Sequence, residues 1–457
     1  MSIPYIIDGE TDADSTTINT WIDAMNGDAG PLANMRAGVA NVLDEGADSS
    51  GTNDSTNAFK NAIATGKPLI YAPYGSYLLD PDQIKIPGGV TLFGDGYDTE
   101  LKQADGTTGT LLGTSATSNA NPAIGVGIRD LRINGNKGNQ SGISTQYGIA
   151  LHYTRKAMIS GVYVHDTVRT AIYLAGSRAR VLNCEVWDIG LSGGSIVGMS
   201  GIVGDHNASA SDAPYEYIVS GNRIVGVLEH GIKLYQGCDR SVIDGNVVND
   251  TGDKGIWGWE GDDLSITGNT VKDAYAMGIL VWGDGSTSAG AAVSGNTVDG
   301  SESQWGIHIN AYLDAAVAGN HVRGALRGGI GVEGSTGYAV SGNTVVSNGK
   351  SATDGMLGIA VSSSNGSVVG NVAKNNGLAA GGTASVGIQV AGATTTDVVI
   401  SGNRCYDDQG TATQEYGIRV RDGADYITLI GNNCRGNGAS GYELSGAGAN
   451  IVNEHNL

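Results

Sequence analysis

Several residue types that build large globular cores or mark particular sites are scarce in this chain. Its 457 residues include only two phenylalanines, eight prolines and four cysteines. The cysteines show neither zinc-site spacing nor a disulfide framework, so buried free thiols are expected at Cys184, Cys238, Cys405 and Cys434. No run approaches the 18 apolar residues of a membrane span. Motifs for nucleotides, nucleophile elbows and metal ions are missing, which predicts no cofactor and no metal.

Positive charge is also in short supply. Lysine and arginine number 26 against 46 aspartates and glutamates, which gives a net charge of -20. A nucleic-acid backbone is therefore an unfavourable partner, although a local basic cluster can still attract a polyanion. The first residues, "MSIPYIIDGETDAD", lack a basic segment followed by an apolar run, so no secretory signal peptide is expected.

Glycine dominates what is present, with 74 residues, and Asn, Ser, Thr, Val and Ile are plentiful. This mixture favours short strands joined by tight turns. A segment of the form "VSGNTV" recurs, and its asparagines lie 23 to 32 residues apart. They are Asn222, Asn246, Asn269, Asn296, Asn320, Asn343, Asn371, Asn403 and Asn432.

A second series begins with Gly-Ile and alternates with the first. With its variants at Ala171 and Gly441 it has twelve members, from Gly148 onward. The repeat has a period of about 24 residues and holds three short strands. It is too short for a propeller blade of roughly 40 residues, and it lacks the 3.6-residue spacing of apolar positions in helical repeats. The repeat predicts an all-β chain, a right-handed single-stranded parallel β-helix of about twelve coils. Asparagine suits its turns because amides can stack from coil to coil.

The segment before the repeats carries a family resemblance. "GADSSGTNDSTNAF", a helix over "STNAFKNAIA", and the strands "PLIYAPYGSYLL" and "VTLFGDG" resemble the entrance of the pectate-lyase-like superfamily. That superfamily includes phage tailspikes, polygalacturonases and alginate C5-epimerases. The resemblance implies a short N-terminal cap helix and a general role with polysaccharides. It divides the chain into a leader or attachment segment at 1–41, the β-helix at 42–445 and a tail at 446–457.

Stacked coils align equivalent residues into columns, so the repeat also predicts a surface. With each coil written G-I-x-V-z, the x and z positions point outward when Ile and Val point inward. Outward aromatic rings suit the C–H faces of sugars, and flanking charged groups suit their hydroxyls. The predicted substrate-binding residues on this surface are Tyr173, Lys233, Tyr235, Trp257, Trp259, Trp282 and His308. Contact with another subunit and cover by a long loop are the alternatives for the same aromatic surface.

Glycan hydrolysis uses two carboxylates, about 5–5.5 Å apart for retention and roughly 6.5–9.5 Å for inversion. Neighbouring coils about 4.8 Å apart bring column carboxylates near these separations. The candidate catalytic residues are Asp205, Glu229, His230, Glu260 and Asp284. For any one of them taken alone, a solvated turn residue is the simpler interpretation, and the sequence does not choose the pair.

The alginate C5-epimerase pattern matches in part. "SGIVGD" places Asp205, and "EHGIKL" places His230, at the family's acid and histidine positions. The preceding coil, "TAIYLAG", supplies Thr170, Tyr173 and Ala175 where the family has a tyrosine, an acid and a histidine. The chain therefore carries only part of the acid–base set that the resemblance implies.

These observations favour a polysaccharide-binding and polysaccharide-degrading protein of the phage tailspike type, most simply a glycoside hydrolase acting on a bacterial surface glycan. A uronate lyase or C5-epimerase is the alternative enzyme, and a non-catalytic tail fibre that binds a glycan is the alternative without chemistry. The resemblance to tailspikes implies a homotrimer, and a virion or extracellular location. Nucleic acid and membrane are not expected partners.

Overall fold

The computed structural model describes residues 38–140, 146–191, 197–205, 216–350, 356–377 and 385–457. Residues 1–37 of the leader predicted at 1–41 lie outside the described residues. From there the chain winds into a parallel β-helix, which confirms the predicted fold.

The middle coils of the β-helix carry three short strands each. In one coil these are Ile232–Leu234, Val242–Asp244 and Val247–Thr251, and each pairs in parallel with its counterpart one coil further along. Alternation along each strand sends every second side chain inward. Ile256, Ile279 and Ile307 consequently form one stack with no solvent exposure, as the Gly-Ile repeat predicts.

One face of the rod is a sheet of its own, which we call the front sheet. Its strands are Ile84–Ile86, Leu112–Thr114, Ala123–Ile124, Ile149–Arg155, Ile172–Ser177, Ile202–Asp205, Ile232–Leu234, Ile256–Trp259, Ile279–Trp282, Trp305–Asn310, Gly328–Thr336, Leu357–Ser364, Val386–Ala391, Tyr416–Arg421 and Ser440–Glu443. All except Ala123–Ile124 follow one another as fourteen successive rungs in the described chain. The sequence predicts twelve of these rungs. The two that precede them contain "IKI" and "LGT" and are not predicted, because these segments lack the Gly-Ile signature.

The other two faces, joined at a bend in each coil, form the back of the rod. Their strands are Val39–Asn41, Ser50–Asp54, Leu69–Tyr71, Gly75–Leu79, Thr91–Phe93, Thr99–Gln103, Gly127–Asn134, Met158–His165, Arg180–Leu182, Glu185–Ile189, Ile218–Ser220, Arg223–Val227, Val242–Asp244, Val247–Thr251, Ser265–Thr267, Thr270–Ala274, Ala292–Ser294, Thr297–Ser301, Ala316–Ala318, His321–Arg323, Ala339–Ser341, Thr344–Val346, Gly366–Val369, Val372–Lys374, Thr396–Ser401, Arg404–Tyr406, Asp425–Ile430 and Ile451–Glu454. The ladder therefore runs to Glu454.

The asparagine series fills the bend between the two back faces. The Asn269 backbone N–H and side-chain amide both donate to Asn296 Oδ1, at 2.9 and 3.0 Å. Asn296 Nδ2 donates in turn to Asn320 Oδ1 and to the backbone oxygen of Ile266. The same pattern continues from Asn222 to Asn456. The amides thus satisfy buried backbone groups and each other, as the sequence predicts.

An α-helix at Thr56–Ala64 covers the N-terminal end of the rod, within "STNAFKNAIA" as predicted. Phe59 is fully buried and meets the ring of Tyr77 edge-on at 5.4 Å. Short 3-10 helices occupy Gly96–Asp98 and Lys137–Asn139.

The four cysteines are buried free thiols, as expected. No helix in the described part of the chain is long and apolar enough to cross a membrane.

Candidate functional site

The outward columns of the front sheet have the predicted register. Lys233, Trp257, Leu280 and His308 are partners on successive rungs, and Trp259 pairs with Trp282. Three neighbouring coils therefore carry an aromatic strip, which we define as Tyr235, Trp257, Trp259 and Trp282.

The rings of the aromatic strip pack against one another. Trp257 stacks on Trp259 with ring centres 5.1 Å apart and planes 11° apart, and Tyr235 meets Trp259 edge-on at 4.4 Å. The ammonium groups of Lys233 and Lys254 lie 4.6 and 4.9 Å from the centre of the Trp257 ring. Because of these neighbours, Trp257 and Trp259 are only half-buried rather than exposed as the column argument predicts. Trp282 alone of the three is exposed, at 47%.

A cleft of about 140 Å³ adjoins the strip at the Tyr235 end. We call it the carboxylate cleft, and its chemically important lining residues are Tyr147, Tyr173, Asp205, Glu229, Lys233 and Tyr235. Five of these six residues, all except Tyr147, are candidates named from the sequence. They converge because the cleft crosses four successive coils of the front sheet.

Asp205 is held in the cleft by Tyr173 from the preceding rung. The Tyr173 hydroxyl donates a hydrogen bond of 2.5 Å to Asp205 Oδ2. Burial, and then this hydrogen bond to a carboxylate, raise the pKa of Tyr173, so the phenol remains a donor. One oxygen of Asp205 is thus oriented by the protein.

Glu229 reaches the cleft from the turn before its strand and is almost fully buried. Its Oε2 atom accepts hydrogen bonds from the Gly198 backbone N–H at 2.8 Å and from Ser200 Oγ at 2.7 Å. Its Oε1 atom lies 3.5 Å from His230 Nε2. Asp205 follows Gly201 by four residues and Glu229 precedes Gly231 by two. The two carboxylates therefore lie toward opposite edges of the front sheet rather than in one column.

His230 lies behind this cleft rather than in it. The side chain is 2% exposed and meets the edge of the Trp257 ring at 5.0 Å. Burial, together with the nearby charges of Lys254 and Lys233, lowers the pKa of His230 to about 2. The imidazole is consequently neutral and has the surroundings of a structural residue.

Lys233 lines the cleft together with Asp205 and Glu229. Its ammonium lies 4.7 Å from the Tyr235 ring centre and faces Trp257 on the other side. Burial lowers the pKa of Lys233, while the carboxylates of Glu229 and Asp205 act in the opposite direction. The cleft thus combines one partly desolvated cation with two carboxylates.

Two residues that the sequence analysis did not select lie beside Tyr173. The ring centres of Tyr147 and His152 are 5.3 and 5.2 Å from that of Tyr173. Burial and the charge of Lys85 lower the pKa of His152, whereas Asp205 raises it. The signal was present in "QYGIALHY", which has a tyrosine before the glycine and a histidine at position z. It lies two coils before Asp205, one coil earlier than the epimerase pattern requires.

A second depression of about 290 Å³ continues along the front sheet beyond the strip. Trp282, His308, Lys254 and Gln304 line it. His308 is 5% exposed, with Nε2 3.3 Å from Glu333 Oε2, and its ring stacks on that of Trp305. Of the predicted binding residues, Tyr173, Lys233 and Tyr235 line the carboxylate cleft and Trp282 and His308 line this second depression, while Trp257 and Trp259 line neither.

The remaining candidate acids lie apart from the carboxylate cleft. Glu260 Oε2 accepts a hydrogen bond of 2.6 Å from Gln236 on the preceding coil. Asp284 accepts bonds from its own turn, including the Thr287 hydroxyl and backbone N–H, which hold its pKa far below the usual range. This arrangement is that of a turn-stabilising residue. Among the residues that the structure describes, no group of three or more His, Cys, Asp or Glu side chains could hold a metal ion.

Comparison with known proteins places the chain in a family. The model of the right-handed beta-helix region matches residues 147–298 and 278–457, so the chain belongs to that family. The model for rhamnogalacturonase A/epimerase, pectate lyase-like, matches residues 39–129. The two matches confirm the resemblance drawn from the capping segment and from the repeat.

Solved structures share the fold at low sequence identity. Tailspike protein 3 of bacteriophage CBA120 is 14% identical, with a TM-score of 0.55 over 95% of this chain and 67% of that one. The catalytic unit of an alpha-1,3-glucanase from Streptomyces thermodiastaticus is 17% identical, with a TM-score of 0.55 over 93% and 71%. The A-module of a mannuronan C-5 epimerase, AlgE6 of Azotobacter vinelandii, is 18% identical, with a TM-score of 0.52 over 91% and 98%. At these identities the likeness shows the fold alone.

One curated relative is closer in sequence over a short stretch. Mannuronan C5-epimerase AlgE3 of Azotobacter vinelandii is 30% identical over 152 residues. The match covers 30% of this chain and 8% of that protein.

Proposed function

We propose that the chain binds a polysaccharide along the aromatic strip and cleaves it in the carboxylate cleft as a glycoside hydrolase of the tailspike kind. The observation that carries this proposal is the convergence of Asp205 and Glu229 on one small cleft that adjoins the strip. The strip supplies ring faces for sugars, and the cleft supplies the two carboxyl groups that glycoside hydrolysis needs.

The proposal gives the two carboxyl groups complementary roles. Asp205, oriented by Tyr173, and Glu229 are the candidates for the pair in which one group activates water as a base and the other protonates the leaving oxygen. Their positions toward opposite edges of the sheet imply more than the roughly 4.8 Å of a single rung. That wider separation favours the inverting spacing of roughly 6.5–9.5 Å.

A uronate lyase or C5-epimerase is the second candidate, and one specific observation favours it. Tyr147 and His152 approach Tyr173 at the cleft, and Lys233 lines it. A lysine ammonium can neutralise the carboxylate of a uronic acid while a neighbouring tyrosine or histidine exchanges the proton at C5. The sequence match to a mannuronan epimerase supports this alternative over a limited stretch.

Product analysis on bacterial surface glycans distinguishes these proposals. New reducing ends of inverted configuration are expected for the wild type, and Asp205→Asn should abolish them while glycan binding persists. An unsaturated uronate would identify a lyase, and solvent deuterium at C5 without cleavage would identify an epimerase. Binding without any of these products would leave a non-catalytic tail fibre.

The tailspike kind of protein also implies a location and an assembly. We propose a homotrimer carried on a virion or acting outside the cell. The structural likeness to a bacteriophage tailspike supports the location. Exposed apolar side chains on the back of the last coils support the assembly.

A further inference from the structure

A second groove lies one corner beyond the carboxylate cleft, on the same four coils. Its volume is about 580 Å³. One lining residue from each of these coils, Lys156, Arg178, Glu216 or Arg240, has left-handed backbone. We call the depression the basic groove, and its charged lining residues are Lys156, Arg178, Arg180, Glu216 and Arg240.

Four cations around one carboxylate are unusual in a chain with a net charge of -20. Glu216 bridges two of them: its Oε2 lies 2.9 Å from Arg178 Nε and its Oε1 lies 3.0 Å from an Arg240 guanidinium nitrogen. Each guanidinium carries five N–H donors, so both retain donors that Glu216 does not use. Lys156 and Arg180 are exposed and have no acidic partner among the described side chains.

The floor of the basic groove is apolar. Met158, Ile218 and Val242 belong to one outward column of the back, in register with Arg180. Met158 is 43% exposed. A floor of C–H groups beside a row of guanidinium and ammonium groups complements a sugar chain that carries carboxylates.

We propose that the basic groove binds a segment of an acidic, carboxylate-bearing polysaccharide whose neighbouring segment occupies the carboxylate cleft. This inference rests on the proposed function for the ligand being a polysaccharide, and it adds that the polysaccharide is acidic. Lys156, Arg178 and Arg240 follow the rungs that carry Tyr147, Tyr173 and Lys233, so cleft and groove lie at the same height of the rod.

The arrangement favours a glycan over a long nucleic acid. A nucleic acid binds tightly when many cationic side chains contact its phosphates and release the bound counterions. In the basic groove the positive charge is confined to four turns of a strongly acidic rod. Contact with carboxylates of a second copy is the other occupant that the charge would suit, and it is an outcome of the test below.

The test measures calorimetric binding of a defined oligogalacturonate to the full chain, with the carboxyl-reduced neutral oligosaccharide as the matched ligand. The wild type should prefer the acidic ligand, and higher salt should reduce that preference. The double variant Lys156→Gln/Arg180→Gln should weaken acidic binding by about tenfold, the equivalent of one charge-assisted hydrogen bond, and leave neutral binding unchanged. Arg435→Gln, an exposed cation on the last coils, is the control and should change affinity by less than about twofold.

Three binding results would each overturn the inference: equal binding of acidic and neutral ligands by the wild type, unchanged acidic affinity in the double variant, or an equal loss of affinity in Arg435→Gln. A lower oligomer mass in the double variant would identify a subunit contact instead and would also overturn it. Failure of the proposed function can be distinguished from failure of this inference. If only the proposed function is wrong, the chain does not cleave the glycan, but binding that depends on the basic groove persists. Asp205→Asn should retain that binding.

Discussion

Trp282 and Trp259 occupy paired positions on adjacent rungs but differ in their surroundings. Trp282 is 47% exposed, whereas Trp259 packs between the Trp257 and Tyr235 rings. Trp282→Ala should therefore change the free energy of unfolding by no more than about 0.5 kcal/mol. The same variant should weaken glycan binding by about 1–3 kcal/mol if the strip holds sugars. Thermal unfolding and a binding titration measure both quantities.

Trp259→Ala is the matched comparison. Because it removes two ring contacts, it should lower stability by about 1–3 kcal/mol as well as weakening binding. Unchanged glycan affinity in Trp282→Ala would contradict the role of the strip, even if stability behaves as expected.

His230 predicts a pH dependence of stability. Its pKa is about 2 in the folded chain against an unfolded value near 6.5, so the unfolded state binds an extra proton between those values. As pH drops below about 6.5, the free energy of unfolding should therefore fall more steeply in the wild type than in His230→Gln. The difference between the two slopes should be roughly 1.4 kcal/mol per pH unit. Denaturant titrations of both proteins from pH 7 to 5 measure the difference. Parallel curves would show that His230 is not held neutral.

At the residue scale, sequence reasoning found the columns but not the three-dimensional neighbours. The columns follow from a fixed period, which is why Lys233 and Trp257 were paired correctly. Burial of Trp257 depends on how Lys233 and Lys254 fold over its faces, and no spacing encodes that. His152 was missed because its coil lies one rung before the expected position, and only the packing of Tyr173 shows that the rings meet.

The asparagine ladder is the element whose loss should be most costly relative to its size. Asn296→Ala would remove the acceptor for two Asn269 donors and leave the Ile266 carbonyl without its donor, inside a buried bend. Since an unsatisfied buried group costs about 1–3 kcal/mol, a loss of at least about 3 kcal/mol is expected. Asn249→Ala, in a half-exposed strand position two coils earlier, should cost no more than about 0.5 kcal/mol. Equal melting temperatures for the two variants would contradict this account of the ladder.

The elements that the sequence predicted are those with a repeated signature. Gly-Ile and Gly-Asn identified the rungs from Gly148 onward, because alternation and period together specify inward and outward faces. The strands Ile84–Ile86 and Leu112–Thr114 carry neither signature, and their rungs were found only from the pairing. Glu229 lies outside the G-I-x-V-z frame, so its approach to Asp205 across the sheet could not follow from columns.

At the scale of the whole molecule, the back of the last coils presents apolar side chains to solvent. Val369, Val399, Ile430 and Val452 lie on neighbouring rungs and are 37–45% exposed. The corresponding positions of earlier coils hold alanine and serine, as in Ala316–Ala318 and Ala339–Ser341. Polar side chains alternate with these four residues in two outward columns. An exposed patch of this mixed kind on a rod is typical of a contact surface.

The homotrimer proposal predicts that this patch lies between subunits. Light scattering at micromolar concentration should give three times the chain mass of 46.5 kDa. Val399→Asp should shift the mass toward the monomer, because each contact would bury an unpaired carboxylate. Val247→Asp is the matched control, since Val247 is equally exposed at 43% on the other back face, and it should leave the mass unchanged. A wild-type mass of 46.5 kDa would refute the trimer, and a trimer insensitive to Val399→Asp would place the interface elsewhere on the rod.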